Sequence, residues 1–190
     1  MSKRFFALEV DVYVPGRWYL SEPTSLAGPE AEDIWQFLDG KPMALNEGMR
    51  VPVYRPGKPL DIDFAGAGQA PVVSVRAAAV FQGLAPDTVQ LFPVEVERQS
   101  APYYLLNISW LVDAVDERAC QRVERWRPED GRPDKVGEFH VIEGLRIDAS
   151  KAGSARVFRL RGYSLPIIVA EEVKARLDEA GCLGGKFTEV

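Results

Sequence analysis

Apolar and polar residues alternate in several separate stretches of this chain, and the period of each stretch predicts an element. Phe6, Leu8, Val10, Val12 and Val14 alternate with Ala7, Glu9, Asp11 and Tyr13. A period of two marks a strand with one face in a core. Pro15-Gly16 supplies a turn, after which Arg17 to Leu20 returns as a second strand. Ile34 to Leu38 reads as a short helix or an irregular segment. Leu60, Ile62 and Phe64 alternate with Asp61 and Asp63, which predicts another strand with one polar face.

Beyond residue 70 the period changes. A short helix candidate at Pro71 to Ser74 leads into Val73, Ala77, Val80, Phe81 and Leu84, which share one helical face. Gly83 and Pro86 stop that helix. Val89 to Val96 predicts a strand, and the nearly all-apolar run from Tyr103 to Val112 predicts one covered on both faces. Residues 117–127 are ambiguous, since Arg118, Arg122 and Arg125 fit a helix face while Cys120, Val123 and Trp126 do not settle the period; 128–137, with their prolines, glycines and charges, form an exposed loop. Strands are expected near 139–148, 156–161 and 166–169. The last helix carries the stripe Val169, Val173, Leu177 and Ala180. Glu171 and Glu172 suit its positive end, and Gly181 suits its left-handed stop. Gly185 to Thr188 adds a final strand. Strands interrupted irregularly by two or three helices predict an α+β fold, mainly antiparallel, with the C-terminal helix packed on the sheet. Gly66 to Pro71 reads as a flexible joint between a strand-rich lobe, 1–70, and a second domain, 71–190.

Composition narrows the function classes. A chain of 190 residues, 46% hydrophobic and 27% charged, is an ordinary soluble globule with a substantial core. Its net charge of -5 gains little from phosphate neutralisation, so nucleic acid is not the expected partner. No run approaches the ~20 apolar residues that cross a bilayer. The apolar start at Phe5 to Leu8 is cut short by Glu9 and Asp11, unlike a signal peptide. Cys120 and Cys182 stand outside any CxxC spacing. They favour free thiols in a reducing cytoplasm over a disulfide framework, with a single bridge left open.

Candidate chemistry is sparse. His140 is the only histidine, so a Ser-His-Asp relay exists around it or nowhere. Glu138 and His140 could share a strand face as two metal ligands, but a catalytic zinc site needs three. Gly66-Ala67-Gly68 has Pro71 where a dinucleotide fingerprint has its third glycine. The chain is therefore expected to have no catalytic residue, no metal and no cofactor, and to be no enzyme. Arg118, Arg122, Arg125, Arg127 and Arg132 are interleaved with Glu117, Glu124, Glu129, Asp130 and Asp134, which reads as a mixed-charge surface. Three carboxylate pairs recur on alternating strands: Glu9 with Asp11, Asp61 with Asp63, and Glu95 with Glu97. If those strands are neighbours, the carboxylates share a surface that a cationic partner would compensate; otherwise they are hydrophilic exteriors paired to local bases.

The order of elements from residue 71 resembles a family of bacterial immunity proteins from polymorphic toxin systems. The resemblance is carried by Tyr103, Tyr104, Leu105, Leu106, Asn107, Asp113, Asp148, Lys151, Phe158, Arg159, Leu160, the helix from Ala170, and Gly181. It implies a cytoplasmic inhibitor that binds a cognate toxin stoichiometrically. Toxins met by such families are often nucleases, so the expected partner is a nuclease domain with a basic surface. A homo-oligomer stays open. The first seventy residues, variable in such families, are where partner specificity is expected. Glu9, Asp11, Trp18, Tyr19, Trp35, Asp61, Asp63, Glu95 and Glu97 are the candidate partner-binding residues, the aromatics serving as anchors or, alternatively, as core of the first lobe. A scaffold subunit of a secretion apparatus, or a small hydrolase or transferase using Asp61, Asp63 or His140, are the other classes the residues leave open.

Overall fold

The computed structural model describes residues 3–27, 33–45 and 48–190. The first half of the chain supplies strands β1 (Phe5–Val10), β2 (Tyr19–Leu20), β3 (Thr24–Ser25), β4 (Met49–Val51), β5 (Val53–Arg55), β6 (Ile62–Ala65) and β7 (Ala70–Ser74), helix α1 (Val75–Leu84) and strand β8 (Val89–Val96). The second half supplies β9 (Tyr103–Ile108), β10 (Leu111–Val112), β11 (Arg122–Arg125), β12 (Phe139–Glu143), α2 (Ala149–Ala152), β13 (Val157–Leu160), β14 (Tyr163–Ala170), α3 (Glu171–Glu179) and β15 (Gly185–Glu189).

Two large sheets result, mostly antiparallel. One has the order β3-β4-β8-β9-β7-β6 and the other β10-β13-β14-β1-β15, while β2-β5 and β11-β12 form separate ribbons. The α+β class therefore holds. Both large sheets draw strands from either side of residue 70. β1 lies between β14 and β15, with Phe5 opposite Ala170 and Glu9 opposite Lys186.

A central core joins the two sheets to both longer helices. Phe6, Leu8 and Val169 meet Val73, Leu106 and Ile108, with Ala77 and Phe81 of α1 and Val173 and Leu177 of α3 among them. The far face of the six-stranded sheet is sealed by Trp18, Leu20 and Phe37 packing on Met49, Val51, Val72, Val94 and Leu105. On the far face of the other sheet, Phe5, Phe158, Leu160 and Ile168 pack against Ala114, Val115, Phe139 and Ala152. Each sheet is thus covered on both faces. That is why Phe5-Phe6-Ala7-Leu8 is buried without a break, instead of showing one wet face. The exception in these runs is Arg159, fully buried in β13. Its Nη1 donates to the Ser164 and Leu165 carbonyls at 2.7 and 2.8 Å, and dehydration pulls its pKa down to about 10.

Several local expectations are corrected. Pro71 to Ser74 is strand, paired to β6 and β9, and the helix starts only after Ser74, whose hydroxyl accepts from the Ala77 amide. Gly66 to Gln69 is the tight turn of the β6-β7 hairpin rather than a flexible joint; a Cβ on Gly68 would lie 2.0 Å from the Ile34 carbonyl. β1 ends at Val10, leaving Val12 and Tyr13 exposed in a turn. Tyr103 to Val112 breaks at Ser109-Trp110 because the chain there crosses from one sheet to the other. Val169 belongs to β14, not to the last helix, while Gly181 does take the left-handed stop (φ +66°).

Candidate binding surface

β4 and β8 run parallel, with Met49 beside Val94, Arg50 beside Glu95 and Val51 beside Val96. Strand alternation sends the four apolar side chains into the core and leaves Arg50 and Glu95 outside. β8 overruns its partner β9, and residues 97–102 fold back to complete the hairpin. Here the Glu97 amide donates to the Val51 carbonyl at 3.0 Å, and a Glu97 carboxylate oxygen accepts from the Val53 amide at 3.0 Å. Arg98 takes a left-handed backbone (φ +60°) and its Nε lies 3.5 Å from Glu97 Oε1.

This arrangement encloses an open hollow of about 560 Å³ between Arg50, Glu95, Glu97, Arg98 and Pro102. A second hollow of about 290 Å³ continues it over Leu26, Met49, Pro93 and Tyr104, sharing Val94, Glu95 and Pro102 with the first. Together they form a groove with a charged end and an apolar end. Glu97 is engaged by a backbone amide and Arg98. Arg50 and Glu95, although adjacent, make no ion pair with each other or with any other described residue. Two unpaired charges of opposite sign beside an apolar trough suit recognition of another protein's surface.

The other expected contact residues are scattered. Glu9 is exposed on β1, where Lys186 stands opposite with Nζ 4.0 Å from its carboxylate. Asp11 turns back to accept from the Tyr13 amide at 3.0 Å. Tyr19 and Trp35 are exposed, Tyr19 under the guanidinium groups of Arg17 and Arg55. Trp18 is core, its ring 5.4 Å from that of Tyr103.

Asp61 and Asp63 are buried rather than presented on a polar strand exterior. Asp61 accepts from Ser74 Oγ at 2.7 Å, Arg76 Nη2 at 3.1 Å and the Leu183 amide at 3.0 Å, tying β6, α1 and the segment after α3 together. Asp63 accepts from the Phe64 amide and pairs with Arg17; burial still pushes its pKa above the usual carboxylate value. The three carboxylate pairs therefore do not form one acidic face. β1 belongs to one sheet, and in the other β6 is separated from β8 by β7 and β9.

His140 stacks on Trp126 with ring centroids 3.8 Å apart. Both cysteines are free thiols. Among the described residues no three His, Cys, Asp or Glu are grouped to hold a metal ion, and no helix is long and apolar enough to cross a membrane. Arg50 and Leu26 were missed in the sequence. The short alternation Met49-Arg50-Val51 is the signal that could have found the first, and three residues are too few to stand out.

The Imm11 immunity protein family matches this chain over residues 9–190. The chain belongs to that family. The Imm11 match takes in the N-terminal third as well as the part expected from the order of elements, so β2 to β6 and the whole groove fall inside it. No curated protein matches the sequence. Membership of Imm11 assigns a toxin-neutralising immunity role, carried out with a cognate toxin as partner.

Proposed function

We propose that this Imm11 protein protects the cytoplasm of its producer by binding a co-encoded polymorphic toxin one to one, without turnover. We infer further that the toxin is a nuclease with a basic surface. The family match across residues 9–190 is the observation that carries the toxin-neutralising part of this reading. The groove between β4 and β8 is its proposed contact site. Glu95, in no ion pair with a described residue, meets a lysine or arginine of the toxin, and Glu97 adds a second carboxylate at the same end. Leu26, Pro93 and Tyr104 supply the apolar trough beside them. Charge complementarity at such a rim speeds encounter, whereas the apolar contacts slow release. Exposed Glu9, Asp11, Tyr19 and Trp35 are kept as peripheral contacts; Trp18, Asp61 and Asp63 act only through the fold.

The test is titration of the product of the adjacent toxin gene with the purified protein, following nuclease activity and complex mass together. Activity should fall linearly to zero at one equivalent, with a stable complex of that ratio. Protection by far less than one equivalent would mean catalytic inactivation and overturn the reading. Absence of any complex would do the same.

A further inference from the structure

The ribbon β2-β5 carries a second surface of different chemistry, built from residues that do not line the groove. Tyr19 pairs with Arg55 and Leu20 with Val53, so a bulge leaves Tyr54 without a cross-strand partner. Bulges of this kind re-aim a side chain. Tyr54 is 80% exposed, and Tyr13, in the neighbouring turn, is 81% exposed. These are the two most exposed large apolar side chains among the described residues. The turn and the ribbon are locked together: the Lys58 amide donates to the Gly16 carbonyl at 2.7 Å and the Trp18 amide to the Lys58 carbonyl at 3.1 Å. Gly57 is pressed so closely on this turn that a Cβ would lie 2.4 Å from the Arg17 carbonyl oxygen. Pro15, Pro56 and Pro59 restrict the same loops. Tyr13 and Tyr54 thus stand on linked, restricted loops, which lowers the ordering cost of binding.

The cations and carboxylates on this surface differ in how they are partnered. Arg17 is neutralised by buried Asp63, but Arg55 and Lys58 are exposed and form no ion pair with any described residue. Arg55 lies over the Tyr19 ring at 5.6 Å. Two carboxylates border the area, Asp11 bonded to the Tyr13 amide and Glu97 bonded to the Val53 amide, and neither pairs with Arg55 or Lys58. Exposed tyrosines beside unpaired cations have the composition of a protein-recognition hot spot.

We propose that the Tyr13, Tyr54, Arg55 and Lys58 surface docks an acidic polypeptide segment that also carries an aromatic or aliphatic side chain. Carboxylates of the segment meet Arg55 and Lys58, and its apolar side chain lies against Tyr54. A nucleic acid fits less well. Arg55 and Lys58, unpaired among the described residues of a chain of net charge -5, neutralise few phosphates, and phosphate neutralisation dominates that affinity. None of these four residues lines the groove at Glu95, and the proposal does not rest on the toxin being basic.

The probe is a short capped peptide of glutamates flanking a phenylalanine pair, titrated into the isotope-labelled full chain while amide resonances are followed. Shifts should concentrate at Tyr13, Tyr54, Arg55 and Lys58, and R55E and K58E should each weaken binding roughly tenfold. Y54A should weaken it similarly, whereas E95K should leave it unchanged. These substitutions are at exposed positions, and the same spectra report whether each variant is folded. Three outcomes would overturn the proposal: no shifts at millimolar peptide, charge reversals without effect, or tighter binding of an oligothymidine at the same amides. None of them bears on the one-to-one toxin titration.

Discussion

Arg17 Nη2 lies 3.2 Å from Asp63 Oδ1, and both side chains are shut away from solvent beneath the ribbon that carries Tyr19. The Phe64 amide donates to Asp63 Oδ1 at 2.8 Å, and Arg17 is the one cation paired with this buried carboxylate among the described residues. Removing one member of such a pair commonly costs about 3–5 kcal/mol. R17M should lose about that much in urea unfolding at neutral pH. The pKa of Asp63 is already raised by burial, so the folded state holds its proton more tightly than the unfolded chain does. Its contribution is therefore fully present below the ordinary carboxyl value of 3.8 and is lost as pH rises through the elevated folded value. R17M removes an attraction that lowers this pKa. The variant should recover part of its stability on acidification, and equal losses at pH about 5 and about 7.5 would contradict this account.

Asp61 holds three elements through one carboxylate, so its removal acts at a distance. D61A leaves the Leu183 amide and the Ser74 hydroxyl without their acceptor and should cost about 3 kcal/mol. D61N keeps an acceptor oxygen and should lose less. Hydrogen exchange gives a local check: the Leu183 amide should exchange much faster in D61A.

Trp18 and Trp35 separate packing from recognition. W18A opens a hole beside Tyr103 and should destabilise by about 3–5 kcal/mol. W35A, at a half-exposed position, should stay within about 0.5 kcal/mol of the parent. Chemical denaturation of both variants is the measurement.

Cys182 should be nearly inert as a nucleophile. Burial and the nearby Asp61 raise its pKa to about 11, so at pH about 8 roughly one thiol in a thousand is ionised. Alkylation of Cys182, read by mass spectrometry, should be slow in the folded chain and fast in urea. Comparable rates in both states would remove this prediction.

Glu95 is the variant to make for toxin binding. E95K replaces an unpaired carboxylate at the groove with a cation and should weaken the toxin complex roughly tenfold, more at low salt than at high salt. The loss should appear mainly in the association rate measured by stopped flow or surface plasmon resonance.

Much of the local structure was readable from period alone. α3 with its Gly181 stop, β8 and the loop over 128–137 follow from spacing and turn chemistry confined to a few neighbouring residues. The candidate site was readable only in part. Glu95 and Glu97 reach a groove, but Arg50 on the facing strand belongs to a three-residue element with too little pattern to notice.

Alternation along a strand says which side chains share a face; it does not say what lies over that face. Asp61 and Asp63 therefore read as a wet exterior, yet the chain folds Ser74, Arg76, Leu183 and Arg17 over them and makes them buried acceptors. Trp18 reads as core more readily than as anchor, and the packing of Tyr103 against it decides for core. Strand order is likewise long-range: Phe5 meets Ala170, and no local signal joins them. The identities of α3, β8 and the body of α1 were present in the linear order of residues. Burial, strand neighbours and the groove were set by packing between segments far apart in the chain, because burial depends on what comes to lie on a residue and not on the residue alone.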